Sequence, residues 1–309
     1  MGSQIYELLG PIRCVEETNL LQPELVLRLH LAYIEAGARL IETNTFGANR
    51  LKLTPLGLGE RVSTLNQIAV KIAREAREAS GKEVLIAGSI GPLGRAWWVS
   101  EPEETGESAR GVFREQATAL EERGVDLFIL ETFPNLQELI WALEAVRSFS
   151  QLPVVAQLTY GDEGKTLAGD DALAATQRLL QLDVDVVGAN CSIGPQDILS
   201  VQRLMAQADG ARLSVQPNVG FPRRVGDRLV YPRSTPEYFT QFAREAAALG
   251  ANIIGGCCGT NPDHIRAIAE AVKGLSPPAA GRADTPTATA VVTEPVVAPP
   301  RAAAEPRST

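Results

Sequence analysis

Histidine is nearly absent from this chain. His30 and His264 are the only two in 309 residues. Imidazole-centred acid–base chemistry would have to rest on one of them, and both fall on segments that read as helices, so both are read as structural. Aromatic residues, at 5%, narrow the options further. Four cysteines are too few for a disulfide scaffold at this length, and a reduced cytoplasmic setting fits them better. No apolar run approaches the roughly 20 residues that span a bilayer, and Met1 to Gly10 lacks a signal-peptide layout. The net charge of −8 comes without any basic block, which excludes nucleic acid and anionic membrane surfaces as favoured partners. What is there is an ordinary globular composition, 45% apolar and 21% charged, with ample length for one large domain or two modest ones.

The apolar pattern alternates. Short continuous apolar runs at Leu40-Ile41, Val84 to Ala87, Leu127 to Leu130, Val154 to Leu158, Val186 to Ala189, Leu213 to Gln216 and Asn252 to Ile254 read as strands. Helical spacing predicts helices over Pro23 to Ala36, Val62 to Ala79, Ser108 to Arg123, Leu136 to Phe149, Asp171 to Leu182, Gln196 to Ala206, Pro236 to Leu249 and Pro262 to Val272. Arg228 to Tyr231 reads as a hairpin arm in the loop before the last helix–strand pair. Seven buried strands alternating with eight helices imply a parallel sheet covered on both sides. The period of about 30 residues fits a (β/α)8 TIM barrel better than an open sheet. The first strand of such a barrel is missing. From about Ser276 the composition turns to Pro, Ala and Thr, which cannot bury a core. The expected organisation is a barrel over residues 1–274 and a disordered tail or linker over residues 275–309.

The chemistry gathers at strand ends, where a barrel of this kind carries its site. Cys257 and Cys258 lie in Ile253-Ile254-Gly255-Gly256-Cys257-Cys258-Gly259-Thr260-Asn261-Pro262, between a buried run and a helix start. Cys191 follows the strand Val186 to Ala189 in the same way. Three thiols at strand mouths suggest a soft-metal site, with zinc the expected ion. Three thiolates leave one tetrahedral position open, as in catalytic rather than structural sites. An electron-rich site of that kind suits binding a substrate thiol and letting it attack a carbon electrophile. A redox dithiol is a weaker reading, since the adjacent cysteines lack Cys-x-x-Cys spacing. Cys14 reads as a small apolar filler.

Three motifs carry a resemblance. Glu42-Thr43-Asn44-Thr45-Phe46-Gly47-Ala48-Asn49, Gly188-Ala189-Asn190-Cys191-Ser192-Ile193-Gly194-Pro195 and Gly255-Gly256-Cys257-Cys258-Gly259-Thr260 resemble the zinc-dependent homocysteine S-methyltransferase family. The resemblance runs from Met1 to about Gly274. It implies a (β/α)8 barrel in which Cys191, Cys257 and Cys258 hold Zn2+, and in which homocysteine takes a methyl group to give methionine. It implies that Glu131 contacts the homocysteine amino group and that Asn218 fills the fourth zinc position before substrate arrives. Thr43 and Ser89 fall on loops that resemble the family's substrate-carboxylate contacts, and Glu42 either shares that role or orients its neighbours. Trp97-Trp98 either lines a methyl-donor entrance or covers apolar surface.

The family's first strand ends in an Asp-Gly motif that this chain enters midway, at Met1-Gly2-Ser3. One expectation is therefore that the natural protein is longer; a chain complete as given would be poorly stable and little active. The Pro/Ala/Thr-rich tail resembles the bridge to a fused methylenetetrahydrofolate reductase module. A second function reading is a non-catalytic or degraded zinc-stabilised barrel. The methyl donor, whether a small molecule or a cobalamin/folate system, is left open.

Overall fold

The computed structural model describes residues 1–94, 102–161, 163–220, 223–225, 228–230 and 234–275. Trp97-Trp98 and residues 276–309 lie outside the described residues. Nine strands are found among them: β1 Leu40–Glu42, β2 Leu85–Ile90, β3 Leu127–Phe133, β4 Val154–Leu158, β5 Val186–Asn190, β6 Leu213–Gln216, the arms β7 Arg223–Val225 and β8 Arg228–Val230, and β9 Ala251–Ile254. The helices are α1 Gly2–Leu9, α2 Thr18–Leu21, α3 Pro23–Glu35, α4 Arg50–Leu53, α5 Val62–Ser80, α6 Pro102–Arg123, α7 Leu136–Arg147, α8 Ala172–Leu180, α9 Pro195–Met205, α10 Pro236–Ala248 and α11 Pro262–Ala271. None of the described helices is long and apolar enough to cross a membrane.

Seven strands form one parallel sheet in the order β1-β2-β3-β4-β5-β6-β9, and β7 pairs with β8 as a separate antiparallel hairpin. Consecutive order with a helix between neighbours is the winding of a barrel. The sheet is curled. Gln216 on β6 donates from Nε2 to Glu42 Oε1 on β1 at 2.8 Å. In a flat sheet those strands would stand five steps apart, about 24 Å. β1 and β9 are the edges, with no described strand between them. That is the gap expected of a TIM barrel lacking its first strand. Helices draw the two margins together, Tyr33 on α3 donating its hydroxyl to Thr260 O beyond β9 at 3.2 Å.

Period-two alternation sorts each strand. Outward residues such as Ile86, Phe128, Leu130, Val154, Ala156 and Val187 join the large core against the helices. Ala87, Leu127, Ile129 and Val155 form a smaller inner cluster, with Leu40, Val186 and Ile253 packed on it. Further along the same inner face come Glu42, Ser89, Glu131, Gln157, Asn190 and Gln216. The interior is thus apolar in its lower part and polar at the C-terminal mouth. Gly188 makes room there: a Cβ would sit 2.8 Å from Ser214 O and 2.9 Å from Gln157 Cγ. Gln157 crosses this space to Ser214 Oγ at 2.8 Å and Gln216 Oε1 at 2.5 Å.

Local signals explain the helix boundaries. On α5 the buried Val62, Leu65, Ala69, Ile72, Ala73 and Ala76 recur at three and four residues, and Gly81 stops the helix in the left-handed conformation at φ 62°. Asn135, Asp171, Thr235 and Asn261 cap α7, α8, α10 and α11 with side-chain oxygens. His264 completes the α11 cap. Its Nδ1 accepts from Asn261 N at 3.2 Å and its Nε2 donates to Ser234 O at 3.0 Å. His30 is buried on α3. α1, α2 and α4 were not expected from the apolar spacing. Three helical turns or fewer give too short a pattern to register.

Candidate metal and substrate site

The strand mouths hold the site. β5 ends at Asn190, and the next two residues, Cys191 and Ser192, take left-handed backbone with φ of 61° and 55°. That conformation costs a non-glycine residue on the order of 1 kcal/mol. It is held in place by Cys191 N–H on Gln216 O at 3.0 Å and Ile193 N–H on Cys191 O at 2.7 Å. The cysteine pair after β9 is clamped as firmly. Cys257 N–H donates to Pro217 O at 2.7 Å, Thr260 Oγ1 donates to Cys257 O at 2.7 Å, and Val219 N–H donates to Cys258 O at 3.1 Å. Asn218 Oδ1 accepts from Cys258 N–H at 3.0 Å.

These constraints bring the three thiols together. The sulfurs of Cys191, Cys257 and Cys258 all lie within 4.8 Å of one another, and those of Cys191 and Cys258 are 3.9 Å apart. All are free thiols. The crowding shows in their acidity. The contact with Cys257 pulls the Cys191 thiol down, but the contact with Cys258 and burial outweigh it and push the thiol up to about 12. Hydrogen bonding to Cys191 and Cys258, then burial, hold Cys257 well above the usual thiol range. Crowded thiols of which at least Cys191 and Cys257 resist ionising are what a divalent cation would relieve. Tetrahedral zinc with bonds of about 2.3 Å sets its sulfurs about 3.8 Å apart, which the 3.9 Å pair matches. The residues present therefore fit the ion. Cys14 lies apart, packed with Leu53, Leu58, Val62 and Leu65, its Sγ donating to Glu16 Oε2 at 3.4 Å.

Glu131 sits opposite on β3. Its carboxylate is buried, Oε1 accepting from Ser89 Oγ at 2.5 Å and Oε2 from Asn190 Nδ2 at 3.3 Å. Burial, followed by the charge of Glu42, pushes its pKa up to about 8, against the pull of the Ser89 hydrogen bond. Ser89 and Glu131 were expected after their strands. They lie within β2 and β3, which run three residues further than the apolar runs. Thr43 is buried beside Ser89, whose N–H donates to Thr43 Oγ1 at 3.1 Å. Thr45 Oγ1 donates to Ser89 O at 2.7 Å, so the Thr43 hydroxyl gives its one hydrogen to Thr45, also at 2.7 Å. Glu42 accepts from Gln216.

Sequence reasoning overlooked Asn190, Thr132 and Gln216. Asn190 Oδ1 accepts from Thr132 N–H at 2.8 Å, and its Nδ2 lies 2.8 Å from Thr132 Oγ1 and 4.0 Å from Cys257 Sγ. The signal for it was the alternation along β5, which turns Asn190 inward.

The sequence profile described as homocysteine S-methyltransferase matches residues 1–272. The chain belongs to the homocysteine S-methyltransferase family. It is similar to the methionine synthase of Mycobacterium tuberculosis, 31% identical over 273 residues, covering 86% of this chain and 23% of that protein. It is also similar to the methionine synthase of Mycobacterium leprae, 32% identical over 268 residues and covering 84% and 22%. The chain thus spans less than a quarter of these curated relatives. Among solved structures, the metallated form of the Escherichia coli homocysteine methyltransferase MmuM is similar, with TM-score 0.72, 25% identity, and 87% and 93% of the two chains covered. Its oxidized form, with TM-score 0.75 and 23% identity over the same shares, shares the fold.

Proposed function

We propose that this barrel transfers a methyl group to the thiol of homocysteine, giving methionine, at a zinc site made by Cys191, Cys257 and Cys258. The observation that carries the reading is the three-thiol cluster lying one side chain away from a buried acid. When bound, zinc supplies a Lewis acid that draws the proton from a substrate thiol near neutral pH.

The chain's own residues do the rest. Glu131 binds the substrate ammonium. At neutral pH its free carboxyl keeps a proton, because burial opposes the charge. An ammonium at 3 Å favours the anion, so amine binding and loss of the Glu131 proton go together. Ser89 holds Oε1 and Asn190 holds Oε2 ready for that pairing. Thr43 fixes Ser89, and Glu42 with Gln216 forms the far wall; we assign the substrate carboxylate to the Thr43–Ser89 side. Asn218 holds the Cys258 backbone, and we assign its weakly ligating amide to the fourth metal position before substrate enters. The substrate sulfur attacks the methyl carbon, and the donor's heteroatom leaves with the bonding electrons. We place residues 1–274 in this catalytic barrel, residues 275–309 in a tail or linker, and the protein in a reducing cytoplasm that keeps its thiols free.

The test is a zinc titration followed by homocysteine. We expect one zinc per chain and release of protons on adding homocysteine. A zinc-loaded protein that ignores homocysteine would overturn the reading in favour of a non-catalytic, zinc-stabilised barrel. Assays of homocysteine against S-methylmethionine, S-adenosylmethionine, betaine, and methyltetrahydrofolate with cobalamin would then name the donor.

A further inference from the structure

Asn190 touches both halves of the site. Its Nδ2 lies 3.3 Å from Glu131 Oε2 and 4.0 Å from Cys257 Sγ. Through that one nitrogen the acid and the sulfur are at most about 7.3 Å apart, the two distances laid end to end. The orientation of this amide is forced. Thr132 N–H donates to Oδ1 at 2.8 Å, and Thr132 Oγ1 takes a hydrogen from Nδ2 at 2.8 Å. A flipped amide would set its NH2 against the Thr132 N–H, so the nitrogen must face the carboxylate and the sulfur. Thr132 reaches Asn190 in this way because its backbone turns left-handed, with φ of 63°. The clamp joins β3 to β5 across β4, at the level of Glu131 within β3 and of the end of β5 just before Cys191.

This separation is a ruler. An α-amino thiol bound with its ammonium on Glu131 and its sulfur at the thiol cluster must span a fixed gap. Homocysteine spans it with three carbons between nitrogen and sulfur, cysteine with two. We propose that Asn190 is a positioning residue that fixes Glu131 relative to the three thiols and thereby selects homocysteine over cysteine. The inference rests on the homocysteine reading above. A single methylene commonly discriminates about 10–200-fold, provided the two subsites cannot move together. With Asn190 cut back, Glu131 keeps Ser89 alone and can follow a shorter substrate.

The test is calorimetric binding of three thiols to the zinc-loaded protein: homocysteine, cysteine, and 4-sulfanylbutanoic acid, which is homocysteine without its amine. Asn190→Ala is the main variant, and Asn190→Ser, which keeps a small polar group, stands in if the first does not fold. The expected result is one zinc per chain in the variant, homocysteine affinity down by about tenfold or more, and a shrunken homocysteine-to-cysteine ratio. The affinity for 4-sulfanylbutanoic acid should be unchanged, because it never uses Glu131. An unchanged ratio, an equal loss for homocysteine and the amine-free thiol, or loss of zinc from both variants would each overturn the proposal. A wild-type protein that takes zinc but no homocysteine would fail earlier, at the functional reading. Wild-type binding with an unmoved variant would fail only here.

Discussion

Gln216 and Glu42 meet side chain to side chain at 2.8 Å although their strands stand at nearly opposite ends of the sheet order. Gln216 also accepts from Gln157 at 2.5 Å, so one amide ties β1, β4 and β6 across the barrel interior. The polar chain lies above the apolar inner cluster, and each link is buried or half-buried. Gln216→Ala leaves Glu42 and Gln157 short of a partner. Losing one partner of a buried hydrogen bond costs about 1–3 kcal/mol. Urea unfolding should show a stability lower by that amount, seen as a lower midpoint with the slope unchanged. A variant as stable as the wild type would mean that the curl of the sheet does not depend on this link.

The thiol cluster and its supports should differ in kind. Cys191→Ser, Cys257→Ser and Cys258→Ser each remove a sulfur from the trio and should abolish tight zinc binding. Asn218→Ala leaves all three sulfurs but frees the Cys258 N–H. Losing this support, together with the weak amide assigned to the fourth position, should cost about 10–100-fold in metal affinity. Competition with a chromophoric chelator would rank the four variants. Retained tight zinc in any cysteine variant would remove that residue from the metal set.

Zinc uptake should also be linked to protons. In the metal-free protein Cys191 titrates near 12 and Cys257 well above its usual range. Both therefore hold protons at neutral pH and must give them up to serve as ligands. Apparent zinc affinity should rise with pH throughout the neutral range, with at least two protons released per ion from these two residues. Titration in buffers of different ionisation enthalpy would count them. Affinity independent of pH would mean that the thiols are already ionised.

How far the sequence showed this arrangement differs between the cysteines and their neighbours. The pair Cys257-Cys258 among glycines, and Cys191 at a matching strand end, were legible because thiols at strand mouths carry chemistry by residue type alone. All seven strands of the sheet were legible as apolar runs. The ends of β2 and β3 were not, because Ser89 and Glu131 look like loop residues until the interior is known to be polar. Asn190 was invisible for a related reason. Its importance comes from the Thr132 backbone and from Cys257, 58 and 67 residues away, which only the folded sheet brings near.

Glu131 should make stability fall with pH. Its pKa in the folded protein, about 8, lies above the ordinary value of 4.5. Below about 4.5 it is protonated folded or unfolded, and the advantage of the neutral buried form is complete. Between about 4.5 and 8 the unfolded chain loses its proton first, so stability declines, and above 8 the advantage is gone. Glu131→Gln stays neutral and keeps an acceptor for Ser89. In the metal-free protein the variant should gain on the wild type as pH rises from 5 to 9, by several kcal/mol at most. The same variant should lose homocysteine binding. Parallel stability curves would place the carboxylate in contact with water.

His30 sets the opposite limb. It is buried on α3, its Nε2 has no hydrogen-bond partner among the described residues, and burial pushes its pKa down from 6.5 to about 3. Above about 6.5 it is neutral in both states and adds no pH dependence. As pH falls through 6.5 toward 3 the unfolded chain takes up a proton that the folded chain refuses, and stability is lost progressively. His30→Leu keeps a side chain of similar size without an orphan nitrogen. At pH 7 the change should be small, since an unpaired polar atom is exchanged for apolar contact. At pH 4.5 the variant should be the more stable by about 1–3 kcal/mol, roughly the two pH units of the refused proton. Urea midpoints at the two pH values decide it: an equal difference at both would show that His30 is not the group that yields to acid.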